Sequence, residues 1–415
     1  MVKDESHPLV VGIPGPTITA DERLILDRVR PAGVVLFERN IESADQVRAL
    51  AEELSDLEPR PFLAIDMEGG AVNRLQSIWG PLPSPAEAAA GGRKAVRALG
   101  EAVGAACRSL GVHLDLAPVV DLVCAGGTLA DEGRCLGDDP ERVITLAGVF
   151  YDGLESWCVG GCLKHFPGLG PVAVDTHHDL ASLDLSMDDL EPHLVVFRGL
   201  SERIGLVMTG HVVVPALGDA ERPVSLSRAA IERAAALPGS PVILSDDLEM
   251  GALDSFGPLP DRVFAALRAR NHGVLVCRAF DQLDDVAERL RQAVADDSAL
   301  GTRMAHSASR LGTLRRDLCR ATATVPMADD TTVEQLVNEG AEPVVSEQDR
   351  EFVEMALASL PPRPWGPETW GAWTAELKQR TGRKGAALFR PLRRALTGRD
   401  QGPEMAALMP LLEKP

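Results

Sequence analysis

Excess positive charge is what this 415-residue chain most plainly lacks: 42 Lys and Arg face 61 Asp and Glu, for a formal net charge of −19. That balance excludes a phosphate-binding footprint spread over the whole protein, because such a footprint needs a basic surface. No apolar run approaches the ~20 residues of a membrane span. The opening MVKDESHPLVVGIPGP has no apolar stretch of the kind a secretory signal carries, so a cytoplasmic protein without membrane attachment is expected. Low-complexity tracts, short-period repeats, a P-loop and a Gly-rich dinucleotide fingerprint are all missing; Gly12-Ile13-Pro14-Gly15 does not supply the last. Seven cysteines stand at 107, 124, 135, 158, 162, 277 and 319. Their odd number and apolar settings predict buried free thiols in a reducing compartment, not a disulfide framework. Cys158 and Cys162 precede His165, but no second ligand pair follows at a suitable spacing, so they read as core rather than as a metal site.

What is present is an ordinary globular composition, 45% hydrophobic and 25% charged, on a chain long enough for more than one domain. Short apolar runs alternate with amphipathic stretches for about 320 residues. Strands are predicted at 9–13, 32–37, 61–66, 112–120, 160–166, 205–213, 241–247 and 273–278, with helices such as 42–56, 84–110, 140–157, 186–202, 227–237 and 260–270 between them. This rhythm predicts an α/β fold with a parallel sheet, and about eight strands fit a (β/α)8 TIM-type barrel. Polar residues gather at the C-terminal ends of several strands: Asp66 and Glu68, Lys164 and His165, His211, Asp246 and Asp247. A barrel brings those ends to one mouth.

Composition changes near residue 325. An acidic, polar stretch without a strong apolar period predicts a linker over 326–345, and residues 346–415 predict a small all-helical domain. Residues 361–415 carry ten Lys and Arg against five Asp and Glu, together with Trp365, Trp370 and Trp373. The domains are thus expected as 1–325, a linker, and 346–415.

The chemistry concentrates in Lys164-His165-Phe166-Pro167-Gly168, followed by Asp175-Thr176-His177. A Lys-His pair at a strand end can point both side chains into one pocket. An Asp two residues before a His can lie beside the imidazole and fix its tautomer, as a general acid/base requires. With the acidic Asp246-Asp247 further on, the pattern reads as an enzyme.

Six motifs, in order, resemble family 3 glycoside hydrolases of the single-barrel bacterial β-N-acetylglucosaminidase type. They are Gly12 to Asn40, Ile65 to Arg74 (IDMEGGAVNR), Ala117 to Leu122 (APVVDL), Arg134 to Pro140, Lys164 to His177, and Ser245 to Leu253. The resemblance implies a retaining exo-hydrolase of terminal N-acetylglucosamine in muropeptides of cell-wall recycling. Asp246 matches the nucleophile, His177 the general acid/base on a mobile loop, and Asp175 its dyad partner. Asp66, Arg74, Arg134, Lys164 and His165 match the sugar-binding positions. No metal or organic cofactor is implied; the partner is a small amino-sugar substrate, and a monomer is expected. A β-glucosidase or phosphorylase of other sugar specificity is the alternative on the same fold. The chain departs from the family pattern at Ala71, at Leu169, at Cys135-Leu136, and at Arg270 to Gly273, where the family carries AG-x-D.

The tail resembles the anticodon-binding region of bacterial glutamyl-tRNA synthetase, most specifically in TGRKGAALFRPLRRALTGRDQGP. No synthetase catalytic domain precedes it. The resemblance implies a tRNA contact through Arg390, Arg393 and Arg394, with the barrel then secondary. The same composition equally suits a domain that packs its tryptophans inward.

Overall fold

The computed structural model describes residues 7–170, 172, 179–323, 326–340, 347–362, 365–397 and 404–409. Asp175, His177 and His178 lie outside them. Eight short strands form one parallel sheet: β1 (His7–Gly12), β2 (Pro31–Leu36), β3 (Phe62–Ile65), β4 (Leu114–Asp115), β5 (Leu163–Phe166), β6 (Leu206–Thr209), β7 (Val242–Asp247) and β8 (Gly273–Val276). Their order across the sheet is β4-β3-β2-β1-β8-β7-β6-β5. The first strand therefore pairs with the last, Leu9 opposite Val274 and Val11 opposite Val276. Main-chain hydrogen bonds also join the β4 and β5 regions, among them Asp115 N to Gly160 O at 2.9 Å and Val120 N to Lys164 O at 2.8 Å. The sheet is strongly curled.

Each crossover carries a principal helix: α1 (Ala20–Val29), α2 (Ala44–Ser55), α3 (Gly92–Ser109), α4 (Pro140–Glu155), α5 (Met187–Ile204), α6 (Arg228–Ala235) and α7 (Leu259–Arg268). Starts are written in the sequence. Thr19 and Glu22 form a capping box ahead of α1, and Asp139 caps α4 with Pro140 in its first turn, each satisfying amide groups that lack helical partners. The helix predicted over 84–110 is broken in two at Gly91, between Pro85–Ala90 and α3, and Gly92 at the start of α3 takes φ +79°. Glycines also let α3 and α4 touch backbone to backbone. A Cβ on Gly100 would lie 2.2 Å from Phe150 O.

Strand periodicity sorts the core. Side chains alternate between faces with period two, so Phe62 and Ala64, Leu206 and Met208, Val242 and Leu244, and Leu275 and Cys277 share the inner cluster. Leu63, Ile65, Val207, Ile243, Val274 and Val276 instead join the layer packed under the helices. After β8 come α8 (Leu283–Asp296) and α9 (Ser298–Ala323). α9 sends Leu311 and Leu318 into the inner cluster, where glycines make room. A Cβ on Gly160 would meet Leu318 at 2.5 Å, and one on Gly273 would meet Leu311 at 2.9 Å.

The linker expected at 326–345 is corrected by the structure. It contains helix α10 (Asp330–Gly340), whose Val333 and Val337 are buried in the main core with Ala328. Two valines one turn apart are too short an apolar stripe to stand out in an acidic sequence, yet they suffice to seat a helix against α3. Further on, α11 (Glu347–Ala358), α12 (Thr369–Thr381), α13 (Ala386–Thr397) and α14 (Met405–Leu408) share a hydrophobic cluster of their own. The basic segment around Arg390 forms α13, with Pro391 inside the helix. Trp365 and Trp373 are buried in that cluster, and Trp373 Nε1 donates to Ala356 O at 3.2 Å.

Candidate active site

The inner-face register continues past the apolar layer and turns polar at the C-terminal strand ends. Asp66 follows Phe62 and Ala64 by steps of two, Lys164 follows Cys162, and Asp246 follows Val242 and Leu244. These three side chains, with Glu68, Arg74, Arg134 and His165, line one cavity of about 770 Å³, a size suited to a small-molecule ligand. The structure therefore brings together every predicted site residue that lies among the described ones.

Glu68 is the hub. Its carboxylate is buried and receives Arg134 through two hydrogen bonds, Nε to Oε2 at 2.8 Å and NH2 to Oε1 at 2.9 Å. Lys164 Nζ lies 2.7 Å from Glu68 Oε1 and 2.7 Å from Asp66 Oδ1. Burial opposes ionisation of Glu68, but the charges of Lys164 and Arg134 outweigh it and hold the carboxyl below the usual carboxylate range. Burial likewise opposes charge on Lys164, and Asp66 and Glu68 reverse that, so the ammonium persists well above neutral pH. The result is a fixed fork of cationic donors beside an exposed edge of Asp66, suited to the hydroxyl and amide groups of a sugar. Arg74 Nε is buried at the same cavity with no hydrogen-bond partner among the described residues, a donor available to a ligand.

His165 is set by Asp121. Asp121 Oδ2 lies 2.8 Å from His165 Nδ1 and accepts from His165 N at 3.1 Å, while Oδ1 accepts from Leu169 N at 2.6 Å. The contact fixes the ring and leaves Nε2 as the second functional nitrogen. Asp246 accepts from Asp247 N at 2.8 Å. Its burial would raise the carboxyl's pKa, but His211, His165 and Lys164 and that amide bond outweigh the burial and hold it below the ordinary value. An ionised carboxylate at a cavity floor can act as a nucleophile towards an electrophilic carbon. Asp247 next to it differs: burial, with Glu249 nearby, pushes its carboxyl up to about 7.

Sequence reading singled out neither Glu68 as the hub nor Asp121 as the holder of His165. Each lay inside a quoted motif, IDMEGG and APVVDL. The signal available was an acid within an otherwise apolar stretch, which must find a partner when buried. His211 is fully buried, with Nδ1 at 2.7 Å from Ser225 Oγ and Nε2 at 2.8 Å from Asp247 O.

Residues 8–314 match the glycosyl hydrolase family 3 N terminal domain. The chain belongs to glycosyl hydrolase family 3. Curated members agree: it is 37% identical over 283 residues to a beta-hexosaminidase of Xanthomonas oryzae pv. oryzae, covering 65% of this chain and 83% of that one. It is 37% identical over 302 residues to one of Xanthomonas campestris pv. campestris, covering 69% and 88%. Among solved structures, a family 3 β-N-acetylglucosaminidase from Paenibacillus sp. superposes with TM-score 0.73 at 26% identity, over 82% of this chain and 68% of the other. NagZ from Neisseria gonorrhoeae, in complex with N-trifluoroacetyl-D-glucosamine, gives TM-score 0.61 at 27% identity, over 74% and 98%. As a family 3 member the chain is a glycoside hydrolase, and no helix among its described residues is long and apolar enough to cross a membrane.

A second match, residues 282–415, is to an anticodon binding domain. It overlaps the hydrolase match through α8 and α9. Those helices place Leu283, Val286, Leu290 and Leu311 in the sheet's cores, whereas the tail's own cluster begins at Phe352.

Proposed function

We propose that this chain is a retaining exo-β-N-acetylglucosaminidase acting on muropeptides with a terminal non-reducing N-acetylglucosamine linked to anhydro-N-acetylmuramic acid. The curled sheet then closes as a (β/α)8 barrel and 346–415 forms a small helical domain. Asp246 attacks the anomeric carbon; His177, oriented by Asp175, protonates the leaving oxygen and later activates water. Asp66, Arg74, Arg134, Lys164 and His165 hold the sugar. The observation that carries the reading is the convergence of Asp246, Lys164, Asp66, Arg134 and Arg74 on one cavity in a family 3 chain. The carboxylate at its floor is held ionised, and Arg134 and Lys164 are already paired and placed.

The test is release of p-nitrophenol from its β-N-acetylglucosaminide. Turnover abolished by Asp246→Ala and strongly reduced by His177→Ala supports the proposal. An intact protein inert on this glycoside and on the β-glucoside overturns it; release of sugar 1-phosphate in phosphate buffer redirects it to a phosphorylase.

The match to an anticodon binding domain favours a second activity, tRNA contact by the tail. A cleft there is lined by Trp370, Phe389, Arg390 and Arg393, with Phe389 43% exposed, so an aromatic face and cations lie together. Binding of tRNA that weakens with salt and with Arg390→Ala and Arg393→Ala supports that contact. Binding unchanged by either substitution removes it.

A further inference from the structure

We infer that a second cleft, on the outside of the sheet, is a binding site for a compact oxyanion of the phosphate class, carried free or on a small sugar. This cleft of about 530 Å³ lies between α6, the turn 270–272 and α9, and its polar lining includes Arg270, His272, Arg303, His306 and Glu232, with the hydroxyls of Thr302 and Ser307. None of the residues lining the cavity at Asp246 takes part in it.

Three observations carry the assignment. The first is the backbone at Arg270. Helix α7 ends with Arg270 N bonded to Leu267 O at 3.1 Å and Asn271 N to Ala266 O at 3.2 Å. That ending gives its left-handed position to glycine as a rule, yet Arg270 occupies it at φ +84°. A side chain held in that conformation costs stability that glycine would not, and such a cost points to a use for the side chain.

The second is an orphaned donor. Arg303 Nε is buried and has no hydrogen-bond partner among the described residues, and its NH2 only approaches Asp297 at 3.9 Å. Buried donors are satisfied in nearly all proteins, by protein, water or ligand. A bound oxyanion supplies the missing acceptor and matches the guanidinium fork.

The third is local charge. In a chain of net charge −19, the cleft gathers two arginines and two histidines against the single carboxylate of Glu232, which already receives Arg228 at 2.9 Å and Arg270 at 3.1 Å. His272 Nδ1 accepts from Ile243 N at 2.9 Å, so the proton of the neutral ring sits on Nε2 as a donor. The ring of His306 lies beside it, centroids 5.9 Å apart and planes inclined by 57°. Burial first, then Arg310 and His306, push His272 down to about 4, so the ring is neutral at physiological pH and serves as a hydrogen-bond donor. The charge that draws an anion comes from the arginines.

The experiment uses the full-length chain and its Arg270→Gly and Arg303→Gln variants. Thermal melting and titration calorimetry are run with inorganic phosphate, with glucose 6-phosphate, and with sodium chloride at matched ionic strength. The expected result is a phosphate-dependent rise in melting temperature beyond that of chloride. Without anion, Arg270→Gly melts higher than the parent because glycine relieves the backbone. With anion, both variants lose most of the rise and bind about tenfold more weakly. A stronger rise with glucose 6-phosphate identifies a sugar phosphate as the occupant; an equal rise identifies free phosphate. No rise beyond chloride, or a rise kept in both variants, overturns the site, the latter by placing phosphate at another surface.

Discussion

His211 Nε2 lies 2.8 Å from the main-chain oxygen of Asp247, and its Nδ1 lies 2.7 Å from Ser225 Oγ. A carbonyl oxygen only accepts, so Nε2 carries the proton and the Ser225 hydroxyl donates to Nδ1 in the neutral ring. Asn271 extends the chain, donating to Ser225 O at 2.8 Å and accepting from Thr209 Oγ1 at 3.3 Å. This buried network holds the main chain on which Asp246 is carried.

His211 is therefore a positioning residue. His211→Ala is expected to lower kcat by up to about 100-fold with little change in KM, as small displacements of a reacting group do. His211→Gln, which keeps an amide N–H within reach of Asp247 O, is expected to recover part of the loss. Steady-state kinetics on the p-nitrophenyl glycoside, with circular dichroism to verify folding, read the outcome. Equal changes in KM and kcat, or an inert His211→Gln, count against the role.

Glu68 ties Arg134 and Lys164 together, so Glu68→Gln leaves two buried cations short of charge. A loss of ~3–5 kcal/mol is expected, as for other broken buried pairs, measured by denaturant unfolding at pH 7. The sign with pH follows from the direction of the shift. The carboxyl is held below its ordinary value of 4.5, so its stabilisation is complete above that value and is lost as pH falls through the depressed one. The parent should lose more stability than Glu68→Gln between about pH 5 and pH 2. Parallel acid-unfolding profiles would contradict this.

Asp247 predicts the opposite sign. Its carboxyl is raised from 3.8 to about 7, so the folded state resists its ionisation. Stability is full below the ordinary carboxylate value, declines as pH rises towards 7, and is flat beyond. Asp247→Asn keeps an acceptor for Cys277 N, which now bonds Oδ1 at 3.3 Å. It should lack that decline and exceed the parent above pH 7 by on the order of a few kcal/mol. Unfolding free energy against pH for both proteins decides it.

The placement of α10 sets where the chain can be cut. A protein ending at residue 325 loses Ala328, Val333 and Val337 from the main core, about 2 kcal/mol of burial for each valine. It should melt well below a protein ending after Gly340, which should keep glycosidase activity without the tail. Equal melting temperatures of the two would show that α10 contributes nothing to the hydrolase body.

Much of this was legible in the residues. All eight central strands stand where apolar runs predict them, because a strand buried on both faces must be apolar at nearly every position. The site residues were legible for a related reason: Asp66, Lys164 and Asp246 are charges at the ends of such runs, where burial is costly unless chemistry repays it. Less visible were α10 and α13. One buries only two valines in an acidic stretch, and the other carries Pro391 within a basic one. Glu68 and Asp121 passed as turn or strand-end residues, since their partners lie 66 and 44 positions away.

The sequence alone determined the alternation of strand and helix, the family, and which residue types reach the strand ends, because periodicity and local charge are properties of neighbours along the chain. Only the tertiary structure decided which of them meet. Glu68 between Arg134 and Lys164, Asp121 under His165, and His211 against Asp247 are contacts made by curling one sheet until distant strand ends face each other. The same folding sets Asp246 and Asp247, adjacent carboxyls of one type, on opposite sides of the ordinary carboxylate value. Their ionisation depends on the charges that the fold brings around each one.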